Sequence, residues 1–210
     1  MMFVQVLVFF LFSCTISAIG FLEKQEYAVI TGSLKENCSS SIYTIGAVPL
    51  TKQESKDVCK DPPVSCFKGN ISQSDVWISA FCTKDLTSVV KTAFPSKLYY
   101  GLASFSGTKC KVSQLISVVF VLADGKTCLP AVGSSAPWGQ KIRINENKTV
   151  SVETFSSVDC SSRDNVTNTS VPQEIDKCTP LGPFLIKDNS FMIISPDNLK
   201  ALERKSFLQW

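Results

Sequence analysis

Three stretches of this chain share one plan: an alternating strand, a turn opened by serine or glycine, and a cysteine. The clearest runs from Leu98 to Cys128, LYYGLASFSGTKC followed by KVSQLISVVFVLADGKTC. It returns from Thr149 to Cys178. Phe105 and Phe155 each stand five residues before their cysteine, and Ser106 and Ser156 four before. In both units the second cysteine follows eighteen positions after the first (110 to 128, 160 to 178). A looser copy, Tyr27 to Gly32-Ser33, leads to Cys38 and then, 21 positions on, to Cys59. Self-similarity of this kind constrains architecture before any single motif does, because each unit must stack on its neighbours to bury its apolar side.

Residues 1–20 read as a secretory signal. Phe3 to Phe12 is almost wholly apolar, and Ala18 and Gly20 satisfy the small-x-small rule for cleavage before Phe21. The apolar run is too short to span a bilayer comfortably. Removing the signal removes Cys14 and leaves Cys38, Cys59, Cys66, Cys82, Cys110, Cys128, Cys160 and Cys178. An even number of cysteines in a secreted chain implies a disulfide framework. Eight cysteines allow 105 connectivities, and sequence alone does not choose among them. The repeat favours pairing within each unit: Cys38–Cys59, Cys66–Cys82, Cys110–Cys128 and Cys160–Cys178. Each would close a short loop worth about 3 kcal/mol in the chain-entropy model.

Five glycosylation sequons begin at Asn37, Asn70, Asn147, Asn165 and Asn168. Each places its asparagine at the surface if used. The 21 basic and 18 acidic residues leave a net charge of +3 with no run of like charge, so a nucleic-acid surface has no support. The chain contains no histidine. That removes Ser-His-Asp and Cys-His nucleophile activation, and histidine-based metal hydrolysis. No cysteine pair has CxxC spacing, which argues against zinc and redox sites. No metal or cofactor is expected. Paired carboxylates could still cleave glycosides, with Glu153, Asp159 and Glu174 as candidates. No recognisable constellation surrounds them, so the expectation is a protein that is not an enzyme.

Strand signals recur along the chain. Tyr27, Val29 and Thr31 alternate, and a second alternation follows over Ile42–Ile45. Val48-Pro49-Leu50 and the polar run Thr51–Lys56 are expected to break it. Asp61-Pro62-Pro63 marks a rigid loop. Val76-Trp77-Ile78 reads as a short strand inside an insert, with Trp77 in the core. Residues 85–93 read as a short helix stopped before Pro95. Leu115–Leu122 (LISVVFVL) reads as a strand buried on both faces. Lys141–Ile144 and Thr149–Glu153 form the clearest hairpin, with Asn147 at its tip. Residues 161–170 are polar and hold two sequons. Phe184–Ile186 and Phe191–Ile194 suggest a closing hairpin. Ser195-Pro196-Asp197 then begins a terminal helix over 198–206, with Leu199 and Leu202 on one face.

The carriers Ala103-Ser104-Phe105-Ser106-Gly107-Thr108-Lys109-Cys110 and Thr154-Phe155-Ser156-Ser157-Val158-Asp159-Cys160 resemble a loose group of secreted, Ser/Thr-rich, cysteine-paired repeat proteins of social amoebae. The resemblance covers about half the chain. It implies an extracellular or cell-surface setting and transfers no catalytic residue.

These readings converge on an all-β class. The expected fold is a disulfide-stapled antiparallel sandwich or barrel-like arrangement built from loose repeats, with one short C-terminal helix. Signal 1–20 would precede a secreted region 21–210. That region holds repeat units near 26–59, 98–128 and 149–178, an insert at 60–97, and a closing hairpin and helix at 181–210. The expected function is a secreted glycoprotein that binds at the cell surface or in the extracellular matrix. Its expected partner is a carbohydrate or a cell-surface protein. Trp138, Tyr99 and Tyr100 are the candidate contacts, since exposed aromatic rings stack on sugars or anchor partners. Tyr99 and Tyr100 adjoin in a strand, so one should face inward and one outward. The alternative is a structural coat or matrix component without a discrete ligand site. A carboxylate glycosidase stands third.

Overall fold

Period-two alternation becomes an antiparallel sheet only if each strand finds a partner in register. In the computed structural model the first repeat supplies two. It describes residues 25–196 and 199, apart from 39, 72–73, 97, 131–138, 148, 162–166, 169–172 and 181–188. The expected signal therefore lies outside the described residues. So do Trp138, the 184–186 strand and all of the terminal helix except Leu199.

β1 (Glu26–Ser33) pairs with β2 (Ile42–Leu50) from Glu26↔Leu50 to Ser33↔Ile42. The alternation continues through Pro49, contrary to the expected break. Pro49 is tolerated because β2 meets its other neighbour only over Thr44–Ala47, so its missing N–H faces no partner strand. β3 (Val64–Ile71) and β4 (Ser74–Thr83) form a hairpin, and β4 pairs along β1. The insert is thus part of the main sheet, and Trp77 is half-buried there opposite Ser33. β5 (Tyr99–Ser106), β6 (Leu115–Leu122), β12 (Cys178–Pro180) and β13 (Asn189–Ile194) complete an eight-stranded antiparallel sheet, ordered β12-β13-β5-β6-β2-β1-β4-β3. A smaller sheet holds β7 (Leu129–Pro130), β8 (Gly139–Ile144), β9 (Thr149–Phe155) and β10 (Thr167–Asn168), with β11 (Gln173–Glu174) also on β9. The expected β8–β9 hairpin is present, from Lys141↔Glu153 to Ile144↔Val150.

Among the described residues, two α-helices lie between strands. α1 (Lys52–Val58) was not expected, although Thr51-x-x-Glu54 is a capping box: Thr51 Oγ1 accepts from the Glu54 amide and Glu54 Oε2 from the Thr51 amide. It buries no residue. α2 (Leu86–Ala93) is the expected helix, capped by Asp85 Oδ1 accepting from the Ser88 amide at 2.9 Å.

The main sheet is apolar on both faces. On one face Tyr27, Val29, Ile45, Ala103, Val118 and Phe120 pack under Leu86, Val90 and Phe94 of α2, with Leu199 beside them. On the other, Val121, Tyr100, Leu102 and Ile193 meet Leu129, Ile142 and Val150 of the smaller sheet. The result is a sandwich with a helix on its outer side.

All eight cysteines expected in disulfides are bonded, but the pairs are Cys38–Cys66, Cys59–Cys82, Cys110–Cys178 and Cys128–Cys160. The within-unit pairing is corrected, and strand geometry gives the reason. Between Cys110 and Cys128 the chain runs the eight residues of β6, about 26 Å at 3.3 Å per residue. A disulfide needs Cα atoms within about 7 Å. β2 separates Cys38 from Cys59 in the same way. Cys160 follows β9 in one sheet, whereas Cys178 opens β12 in the other.

The repeat is nonetheless real at its turns. Cys38, Cys110 and Cys160 all adopt left-handed backbone, with φ of 48°, 46° and 56°. In each case the partner sulfur lies against the carbonyl two residues before the turn cysteine. Cys66 Sγ is 2.8 Å from Glu36 O, Cys128 Sγ 3.0 Å from Val158 O, and Cys178 Sγ 3.7 Å from Thr108 O. Asn37 and Asp159, each just before the cysteine, accept from Ser40 and Ser161 and hold the turn. The middle unit has Lys109 there. Its turn is held instead by buried Ser190, whose Oγ accepts from the Cys110 amide and donates to Gly107 O at 2.7 Å.

Candidate functional site

Of the expected contact residues, Tyr99 and Tyr100 are both covered, one on each face of the main sheet. Tyr99 is 2% exposed, stacked on Phe94 at 5.1 Å and edge-on to Phe120 at 6.1 Å. Tyr100 points to the opposite face, as alternation requires, but the smaller sheet covers it there, and burial raises its hydroxyl pKa. Neither ring faces outward. Trp138 lies outside the described residues.

The candidate carboxylates are not brought together as an acid–base pair. Glu153 is exposed on β9. Asp159 is exposed and held at about 2 by hydrogen bonds from the Ser161 and Ser157 side chains and the Ser161 amide. A carboxyl so acidic has no proton to donate near neutrality. Glu174 lies on β11, opposite Thr149.

Two of the five sequons are described in detail. Asn147 sits exposed at the β8–β9 tip, its Oδ1 accepting from the Thr149 amide at 3.2 Å and hydroxyl at 2.6 Å. Asn37 is exposed in the first cysteine turn. Asn70 pairs with Asp75 near the β3–β4 tip, and Asn168 with Glu153. Asn165 lies outside the described residues.

A cavity of about 330 Å³ opens between the start of β1 and α1, with Lys52, Lys56 and Lys84 at its wall. Its other polar groups are already engaged. Gln25 Nε2 donates to Leu50 O at 2.6 Å, Ser55 bonds Glu26, and Thr51 belongs to the capping box. It therefore reads as a surface recess.

The most unusual surface lies on the main sheet, where the smaller sheet stops. Register aligns a row across six strands: Val64 opposite Ala80, Ala80 opposite Ile30, Ile30 opposite Gly46, Gly46 opposite Val119 and Val119 opposite Leu102. Ile30 is 57% exposed, Val64 52%, and Val119 37%. Val48, one row further along β2, is 47% exposed. Beyond the other side, the row of Ile78, Gly32, Thr44, Val121 and Tyr100 meets the smaller sheet. No residue named in these rows is charged. A sheet face in water ordinarily alternates to polar or charged side chains. This one does not, and it corrects the reading of β6 as buried on both faces: Val118 and Phe120 are buried, whereas Ile116 and Val119 are exposed. Periodicity concealed the surface, because a continuous apolar run looks alike whether or not its second face is covered.

Gly46 sits at the centre of the row. A Cβ built at Gly32 would lie 2.7 Å from Thr44 Cγ2, and one at Gly101 2.8 Å from Phe120 Cε1, so packing demands glycine there. A Cβ at Gly46 would meet only the Ile30 carbonyl oxygen, at 4.0 Å. The fold gives no internal reason for a glycine in mid-strand at this position. It leaves a hollow between Ile30 and Val119. Among the described residues no helix is long and apolar enough to cross a membrane. No protein-family model, curated protein or solved structure matches the chain.

Proposed function

We propose that this protein is a secreted glycoprotein that binds other proteins at the cell surface or in the extracellular matrix, and that the uncharged apolar band around Gly46 is its contact surface. The band is the observation that carries the reading. Contiguous exposed apolar surface on a globular chain marks an interaction site, since leaving it in water is unfavourable. Four disulfides suit an oxidising compartment. The Asn147 sequon stands exposed at a hairpin tip of the smaller sheet. A protein partner is favoured over a saccharide because Tyr99 and Tyr100 are occupied in cores and the band offers a sugar no hydrogen-bonding side chain.

The test is binding of labelled, oxidised protein to intact cells and to decellularised matrix. Saturable binding is expected, falling at least tenfold in Ile30→Lys with no change in melting temperature. Equal binding by the two proteins would overturn the assignment of the band.

A further inference from the structure

We propose that the band pairs with the same band on a second copy of this chain, giving a closed, reversible dimer. This rests on the preceding reading and names its partner. The argument is the shape and chemistry of the row. Ile30 is its most exposed side chain, and the Gly46 hollow lies one strand away, about 4.8 Å. A ridge and a hollow side by side on one surface are self-complementary: each copy's Ile30 enters the other's Gly46 hollow. A second large-to-small match follows, because Ala80 and Val119 flank this pair. Two-fold association uses one patch twice and satisfies both copies. A glycine mid-strand with no internal contact is expected where another chain approaches closely.

Charge at the band does not oppose the same partner. The chain is +3 overall, and copies repel wherever their lysines meet. The band presents no charge, so it lets two copies touch without burying an unpaired one. An anionic partner finds nothing there to pair with.

Size sets the strength. Leu102 lies under the smaller sheet, so the exposed row runs over five strands, about 19 Å between outer axes. With two exposed rows, that gives on the order of 300 Å² per copy, well under half a standard interface. An interface this small gives a weak dimer that forms and dissociates readily. Because a two-fold contact closes on itself, association should stop at two.

Sedimentation velocity on the secreted, oxidised chain from about 1 to 200 µM tests this. The wild type should pass from monomer to dimer with no larger species. Ile30→Lys and Gly46→Thr should each weaken association at least tenfold. Gly46→Thr carries the discrimination, since its side chain enters open space: its melting temperature should be unchanged or raised while the dimer is lost. A lower melting temperature would show that Gly46 serves the fold and would overturn the proposal. So would a wild type that stays monomeric at 200 µM, a Gly46→Thr variant that dimerises normally, or open-ended growth. Monomeric protein that still binds cells or matrix through Ile30 would overturn the second copy and keep the binding role. A wild type that neither dimerises nor binds cells or matrix would overturn both.

Discussion

The two faces of the main sheet are made from the same strands, and each strand contributes apolar residues to both. They differ in what covers them. On the helix side, Leu86, Val90 and Phe94 close the surface, and Val29, Ile45 and Phe120 beneath them are buried. On the other side the smaller sheet covers Tyr100, Val121, Leu102 and Ile193, and Ile30, Val48, Val64 and Val119 remain in contact with water. Apolar patterning alone therefore does not mark a core. A core needs a covering element within reach, and the smaller sheet ends too soon. The surplus of apolar surface over cover is what leaves these side chains in water.

Adjacent residues on β6 put a number on that contrast. Phe120 is fully buried beneath α2 and edge-on to Tyr99. Phe120→Ala should destabilise the fold by about 3–5 kcal/mol, through lost transfer energy and a cavity that Gly101 cannot fill. Val119→Ala, one residue away on the open face, should change stability by less than about 1 kcal/mol. Denaturant unfolding with the disulfides intact measures both, at about 1 µM so that the monomer is the species unfolding. Comparable losses would mean that the open face is covered in solution even by the lone chain.

The helices repeat the comparison on a smaller scale. α2 buries Leu86, Thr87 and Val90, whereas α1 buries nothing. Removing the α2 cap with Asp85→Ala should cost about 1 kcal/mol, because fraying its first turn loosens the core side chains it carries. Thr51→Ala destroys a complete capping box, yet it should cost the global fold less than about 0.5 kcal/mol, since α1 can unwind locally without exposing apolar surface. Equal penalties would show that α1 is coupled to the sheet through the neighbouring Cys59–Cys82 disulfide.

How much of this was legible follows the range of the interactions involved. Local signals were readable. The alternation of β1, β5, β8 and β9, the Asp85-capped helix and the Asn147 turn depend on residues within a few positions of each other. Thr51-x-x-Glu54 was equally local. The helix it starts has no apolar face, so the apolar period that usually marks a helix does not reveal it. The disulfide pairing was not readable, since it depends on which end of the sheet each turn occupies. Cys110 meets Cys178 because β13 lies beside β5, and that neighbour is set by strands more than eighty residues apart. The burial of Tyr100 was not readable for a related reason. Alternation put Tyr99 and Tyr100 on opposite faces, correctly. It could not reveal that a second sheet covers Tyr100 and stops short of Val119, which lies two residue pairs away along β5 and β6. Gly46 carried a signal of its own, a glycine between β-branched and aromatic neighbours in a strand, but its meaning required knowing that the space above it is empty.

The smallest effect separates the turns from the open face by pH. The rows around Gly46 contain no ionisable side chain other than the covered Tyr100 hydroxyl, so acid has no direct handle on that surface. The Cys160 turn does have one. The Ser161 side chain, then Ser157, then the Ser161 amide hold the Asp159 carboxyl at about 2, below its ordinary 3.8. A carboxylate depressed in the folded state stabilises the fold above its unfolded pKa, and that contribution is lost as the pH falls through the folded value. Here the window runs from about 4 down to about 2. Asp159 is fully exposed, so solvent screens the effect and the response should be a loosening of the turn without global unfolding. Carboxyl chemical shifts of Asp159, followed with the amide shift of Ser161, should share a midpoint near 2. Asp159→Asn keeps the accepting oxygen and should abolish the Ser161 titration while preserving the turn. A midpoint near 3.8 would mean that the hydrogen bonds are open in solution, and that the Cys128–Cys160 disulfide holds this turn without help from the residue beside it.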